Sequence, residues 1–267
     1  KYVRIEFAGK AFSPGNERNC LSLMGVGSAT TIEYIQCHKS LDDSFEWWGG
    51  SVNMKYLLST DARDDNFDFA DGYVGKVQFA IAHIGTNSTS NDDTSRCIEG
   101  DGNSIHTCTN SKNSGGTCAD PLFANITCIG SNGGTRQGDA IYLRRGSAGK
   151  FTHFLIEDFG TTGAAINCST SGQVVTSTVS NVYKIGTSGT ETLQSNCSAS
   201  SSASSGVTLK TISAPNYIPV SKTTASTLSG VSGFSSGFDS NDYAGGVSPS
   251  ATTSTVWTAG WTSYPVN

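Results

Sequence analysis

Asp42-Asp43-Ser44-Phe45-Glu46-Trp47 is followed, 22 residues on, by Asp64-Asp65-Asn66-Phe67-Asp68-Phe69. The apolar runs beside these segments keep the same beat. Ile32-Glu33-Tyr34-Ile35-Gln36-Cys37 maps at 22 residues onto Met54-Lys55-Tyr56-Leu57-Leu58-Ser59, and Val77-Gln78-Phe79-Ala80-Ile81 follows at about 23. Tyr2-Val3 matches Tyr34-Ile35 at 32 residues, which predicts a ten-residue insertion, Ala11–Cys20, bulging from one corner. A fixed period of this length marks a solenoid, whose units stack because none buries its apolar face alone. The runs are short and β-prone, and no helical pattern separates them, so the solenoid is a β-solenoid.

Strands are expected at Tyr2–Phe7, Leu21–Met24, Thr31–Cys37, Phe45–Trp48, Val52–Leu58 and Lys76–Ile84, punctuated by glycines. The segment Gly85–Ala119 breaks the pattern and reads as a long polar surface loop. Strands resume at Phe123–Ile129, Ala140–Arg144 and Phe151–Phe159, and Thr187–Ser213 is a Ser/Thr-rich loop with a strand-like Val207–Ile212 inside it. This divides the chain into a β-helix over 1–229 and a C-terminal segment, 230–267, packing on the helix or on a neighbouring subunit.

The chain has 267 residues, a net charge of −5 and 15% charged residues, with 31 glycines and only 2 methionines. No basic stripe is present, so nucleic acid is excluded as a partner. No stretch is long or apolar enough to span a membrane. Its eight cysteines are Cys20, Cys37, Cys97, Cys108, Cys118, Cys128, Cys168 and Cys197, with no CxxC pair among them. An even number without metal-ligand spacing predicts disulfides and an extracellular or cell-surface location. Cys168 with Cys197, and a bridge within the Cys97, Cys108 and Cys118 group, are the local pairings expected. The chain begins inside a strand, which reads as a mature form cut from a longer precursor. Asn87, Asn125, Asn167 and Asn196 stand in glycosylation sequons.

Several stretches together resemble a known family: YVRIEFAGKAF (Tyr2–Phe12), GVGSATTIEYIQ (Gly25–Gln36), DDSFEWWGGSVNMKYL (Asp42–Leu57), DDNFDFADGYVGKVQFAIA (Asp64–Ala82), AIYLRRGSAGKF (Ala140–Phe151) and DYAGGVSPSATTSTVWTAGWTSY (Asp242–Tyr264). They are similar to secreted bacterial cell-surface proteins described as right-handed parallel β-helices. The resemblance implies an all-β fold of that kind and secretion, and it implies no established activity.

The repeat stacks Asp42, Asp43 and Glu46 over Asp64, Asp65 and Asp68, with Asp71 nearby. Strands stack at about 4.8 Å, and like charges that close repel by about 1 kcal/mol per pair even in water. Calcium is the one cofactor this pattern suggests, because oxygen ligands at a turn are what it takes. Arg63 or Lys55 as counter-ions, or a solvated acidic turn, are the plainer alternatives. Parallel β-helices that cleave polysaccharides use clustered carboxylates, calcium and an Arg, Lys or His base. Arg144, Arg145 and Lys55 are the visible options for that base. His38, His83, His106 and His153 read as turn or surface residues. Trp47, Trp48, Tyr73, Trp257 and Trp261 read as corner and end caps, or as a sugar-stacking platform.

The primary expectation is an extracellular structural subunit that polymerises end to end. The first residues are already strand, and the open end of a solenoid invites a second copy. The alternative is a polysaccharide-binding or lyase-like β-helix.

Overall fold

The computed structural model describes all residues except 11, 14–17, 86–93, 104–107, 109, 132–136, 169–176, 190, 194–196, 205, 210–212 and 267. In chain order the strands are β1 (Val3–Glu6), β2 (Leu21–Met24), β3 (Thr31–His38), β4 (Phe45–Trp48), β5 (Asn53–Thr60), β6 (Phe67–Ala70), β7 (Lys76–His83), β8 (Ile98–Asp101), β9 (Leu122–Ile129), β10 (Ile141–Arg144), β11 (Gly149–Ala164), β12 (Ile166–Cys168), β13 (Ser177–Gly189), β14 (Thr192–Leu193) and β15 (Cys197–Ala203). Odd-numbered strands form one parallel sheet and even-numbered strands a second, so successive strands alternate between sheets while each sheet grows one strand per coil. The chain is a right-handed parallel β-helix. An antiparallel hairpin, β16 (Val207–Leu209) with β17 (Asn216–Pro219), follows the last coil. Among the described residues there is no α-helix, and no helix is long and apolar enough to cross a membrane.

The register confirms the repeat. Glu46 faces Asp68 and Ile32 faces Met54, each 22 residues apart, and Val3 faces Ile35 across the 32-residue coil. Each long strand of the first sheet is bent. Tyr34, Tyr56, Phe79, Asn125, His153 and Asn181 stack at one corner with φ between 49° and 62°, and the hydrogen-bonded register skips them. Asn tolerates this left-handed geometry; bulky residues do not adopt it without compensation. Here the rings stack on one another: Tyr2 on Tyr34 at 4.5 Å, Tyr34 on Tyr56 at 4.4 Å, and Tyr56 on Phe79 at 5.3 Å between centroids.

The interior is built from ladders. Phe45, Phe67, Ile98, Ile141 and Ile166 form one. Leu23, Trp47, Phe69, Gly100 and Leu143 form the next. A Cβ at Gly100 would lie 2.2 Å from the Phe69 ring, so glycine is what lets the larger ring fill the coil. One corner of the interior takes a cross-link of varying chemistry. Cys20–Cys37 fills it in the first coil and Cys97–Cys128 in a later one. Between them the hydroxyls of Ser44 and Ser59 lie 2.6 Å apart, and Ser59 donates to Asn66 Oδ1 at 2.6 Å. Cys168–Cys197 joins late coils, Cys108–Cys118 closes a surface loop, and no described cysteine is free.

Two expected loops need correction. Gly85–Ala119 contains β8, and Thr187–Ser213 contains β14 and β15, besides β16 within the expected strand-like stretch Val207–Ile212. Ile98-Glu99-Gly100-Asp101 is too short and too polar to announce itself, and β15 is almost all Ser and Ala. Three of the four disulfides also cross buried solenoid positions, not only surface loops.

After β17 the chain turns back and runs along the bent corner toward the first coil. Buried side chains on the outer face of the first sheet grip its backbone. Gln78 donates to Asp239 O and accepts from Asp239 N, both at 2.8 Å. Gln36 does the same with Ser263 at 2.6 and 2.9 Å. Asn125 donates to Tyr243 O at 2.9 Å. Beneath this return segment Leu58, Ile81, Ile129 and Leu155 pack with Val247 and Val256 in a second apolar cluster. Trp257 tilts against Tyr56 at 5.7 Å and Trp261 meets Tyr2 edge-on at 5.9 Å.

Candidate functional site

The second sheet turns a charged face outward. Between inward Phe45 and Trp47 the strand alternation points Glu46 out, and stacking adds Asp68, Glu99, Tyr142 and Asn167 in one column. The next column holds Asp101 beside Arg144. The turns entering β4 and β6 bring Asp42, Asp43, Asp64 and Asp65 to the same edge.

Backbone geometry fixes part of the cluster. Asp65 N donates to Asp43 Oδ1 at 2.9 Å, and Arg96 N donates to Asp65 Oδ1 at 2.7 Å. The Arg96 guanidinium reaches Glu99 at 2.9 Å and Asp65 at 3.5 Å. Arg144 pairs with Glu99 and, at 2.7 Å, with Asp101, while Arg145 pairs with Asp101 at 2.7 Å. Asn19 donates to Glu46. Arg96 and Arg144 also lie 4.5 and 5.3 Å from the Tyr142 ring centre, within cation–π range.

What remains is an excess of carboxylate. Asp42, Asp43 and Asp64 can each bring an oxygen within 4.8 Å of the others, and so can Asp43, Glu46 and Asp68. Asp68 keeps some surface, yet its Oδ1 is fully covered and has no hydrogen-bond partner. Burial, then neighbouring carboxylates, push Asp43 and Asp68 well above the usual carboxylate range. Asp65 is raised too, by burial and Glu99, against the pull of Arg96. Burial pushes Glu46 up to about 7. Such groups hold protons, or hold a cation that takes the protons' place. The donor set is all oxygen, as a hard divalent ion requires.

The other sequence candidates fall elsewhere. Lys55 lies on the first sheet, ion-paired to Asp239 at 2.9 Å, away from the carboxylates. Burial works against the charge of Arg144, but Glu99 and Asp101 outweigh it and hold its pKa above the ordinary value, so it is a poor base. His38, His83 and His153 are buried, not surface residues; His106 lies outside the described residues. The five aromatics do not converge on one platform. Trp47 and Tyr73 are core, stacked 5.3 Å apart, Trp48 is half-buried on β4, and Trp257 and Trp261 belong to the return segment. Asn125 is wholly buried with its amide engaged, which leaves no room for a glycan on the folded chain. Asn167 donates to Asp139 at 2.7 Å, and Asn87 and Asn196 lie outside the described residues.

Arg96, Glu99, Asp101 and Asn19 were not expected at the site. A signal for β8 exists: Ile98-Glu99-Gly100-Asp101 repeats the apolar–acid–interior pattern of Phe45-Glu46-Trp47 and Phe67-Asp68-Phe69, displaced by an insertion.

None of the curated proteins and none of the solved structures matches the chain. The family model of the pectate-lyase-like β-helix domain, however, matches residues 1–262, and the chain belongs to that family.

Proposed function

We propose that this chain is an extracellular protein that binds an acidic polysaccharide along the outer face of the second sheet. Asp43, Glu46 and Asp68 hold a divalent cation, with Asp42 and Asp64 beside them. The observation that carries this is the covered, unpartnered Asp68 Oδ1 within a trio of carboxylates that each place an oxygen within 4.8 Å of the others. An unpaired buried acceptor costs about 1–3 kcal/mol, and a cation relieves it together with the like-charge repulsion.

A calcium ion held there supplies a positive centre for a sugar carboxylate. The chain's own residues do the rest. Arg144 and Arg145, held by Asp101 and Glu99, present guanidinium edges for a second carboxylate along a polymer lying across the coils. Tyr142, beside Arg96 and Arg144, offers part of a ring to a sugar face. Membership of a pectate-lyase-like family supports an acidic polymer as the ligand.

The test is binding of polygalacturonate and of a neutral glucan by affinity electrophoresis, with calcium and with chelator, alongside an assay for unsaturated products. Retention by the acidic polymer alone, lost in chelator and in Asp43→Asn with Asp68→Asn, is expected. Equal retention of the neutral glucan, or no retention with calcium present, overturns the reading.

A second reading, end-to-end assembly into a filament or surface layer, is favoured by the first coil. There β1 and β2 have a neighbour on one side only, and Tyr2, Val3 and Met24 are 60%, 44% and 73% exposed. Light scattering across a concentration series tests it, and a constant monomer mass removes it.

A further inference from the structure

The return segment is fastened to the β-helix by two buried histidines, and the bonding of one, His153, commits it to the neutral form. His153 Nε2 donates to Ser226 O at 2.7 Å, because a carbonyl only accepts. Its Nδ1 lies 3.0 Å from Thr152 Oγ1. That oxygen already receives Ser180 Oγ at 3.1 Å and Asn181 Nδ2 at 3.2 Å, so the Thr152 hydroxyl donates to the ring and Nδ1 must be unprotonated. At the other end His38 Nε2 donates to Pro265 O at 3.0 Å, and its Nδ1 lies 2.6 Å from Thr60 Oγ1. Both imidazoles are almost fully buried, at 1% exposure or less.

We propose that residues 221–266 form a pH-sensitive clasp, which protonation of His38 and His153 releases from the β-helix while the coils stay folded. The two histidines grip opposite ends of the segment, one at the late coils and one at the first. What lies between is held by side-chain hydrogen bonds from Gln36, Gln78 and Asn125, by the Lys55–Asp239 ion pair, by two apolar clusters and by a single backbone hydrogen bond from Gly245 to His153, and among the described residues not by a sheet ladder. Release uncovers Leu58, Ile81 and Leu155 and removes Trp257 and Trp261 from the aromatic corner.

The charged surroundings do not rescue the imidazolium form. His38 faces Lys39, which opposes a proton, and Asp61 and Glu6, which favour one. Burial outweighs them, with its net effect downward. Burial again lowers the pKa of His153, and among the described residues the charged group facing it is Asp242 on the return segment, itself paired with Lys222 at 2.7 Å. The sign follows. A free histidine takes up its proton near 6.5, and the clasped one resists. Clasp stability is therefore fully present above about 6.5 and is lost as pH falls through the lower value of the bound state.

Hydrogen–deuterium exchange on the full chain, corrected for intrinsic rates, at steps between pH 7.5 and 5, tests this. Protection in 221–266 should be level above about pH 6.5 and below it fall about tenfold per pH unit for each histidine that must be protonated for opening, while β5, β7 and β9 keep theirs. His38→Gln with His153→Asn should flatten the dependence. Asn is the matched choice, since Asn125 and Asn181 hold the same corner in flanking coils. Unchanged protection in the wild type, joint loss in segment and coils, or the same loss in the double variant overturns the proposal. Should the variant not fold, imidazole NMR of the wild type decides. Histidines that titrate in step with opening support the clasp, and titration with constant protection overturns it.

Discussion

At the scale of single residues, two kinds of strain are held in this chain, and each makes a prediction. The first is the buried carboxylate group. Without a cation, burial favours the neutral form of Asp43, Glu46, Asp65 and Asp68. Their contribution to stability is then present below the unfolded values, about 4, and is lost as pH rises through the folded values, near 7 for Glu46. A bound divalent ion reverses that preference. The fall in Tm on chelation should therefore be largest near pH 8 and shrink toward pH 5. At a free ion concentration of 100 times Kd the effect is about 2.7 kcal/mol, or roughly 5–10 °C for a chain of this size. Asp43→Asn with Asp68→Asn should abolish it; calorimetric melts with and without chelator make the comparison. The second strain is the aromatic corner. Tyr56 has φ 60° and contacts Tyr34, Phe79 and Trp257. Tyr56→Ala loses the stack and keeps the strain, while Tyr56→Gly loses the stack and relieves the strain. Urea unfolding should find both destabilised, with alanine the worse by about 1 kcal/mol, the reverse of the usual order in a strand.

Elements show how one coil position accepts different chemistry while the backbone holds still. Cys20–Cys37 and Cys97–Cys128 occupy the interior corner that Ser44 and Ser59 fill with a hydrogen bond. Ser44→Cys with Ser59→Cys should form a fifth disulfide, visible as a mass two hydrogens short of the dithiol. Its absence under oxidising conditions would contradict the register. This pairing also explains what the sequence made legible. The 22-residue beat fixed the early strands because their interior positions are large and apolar, as in Phe45-Glu46-Trp47 and Phe67-Asp68-Phe69. Half of the charged face was legible from the same beat, as Asp42, Asp43, Glu46, Asp64, Asp65 and Asp68. The other half was not. Glu99 and Asp101 ride on β8, whose inward residues are Ile98 and Gly100, so the acidic partners of Arg144, itself a sequence candidate 43 residues beyond Asp101, were hidden. Period reading fails where insertions break the count and where small residues pack as well as large ones. The return segment was illegible for another reason. Its anchors are outward Gln, Asn and His side chains, which in isolation look like ordinary surface residues.

On the scale of the molecule, the β-helix is a rod with two worked faces. The second sheet presents the charged face, and the first is covered by the chain's own return segment. Disulfides at the first, middle and late coils tie the rod internally. Reduction should therefore lower the stability of the coils themselves, by about 3 kcal/mol per bridge in the chain-entropy model, and not merely loosen loops. Circular dichroism melts with and without reductant measure this. The account's central claim is that the carboxylates of Asp43, Glu46 and Asp68 hold a divalent ion. Calorimetric titration of calcium into chelator-stripped protein tests it most directly. The account predicts saturable binding at pH 8, proton release that varies the heat with buffer, weaker binding at pH 5.5, and no binding to Asp43→Asn with Asp68→Asn. Absence of binding to the wild type at pH 8, or equal binding to the double variant, would contradict it.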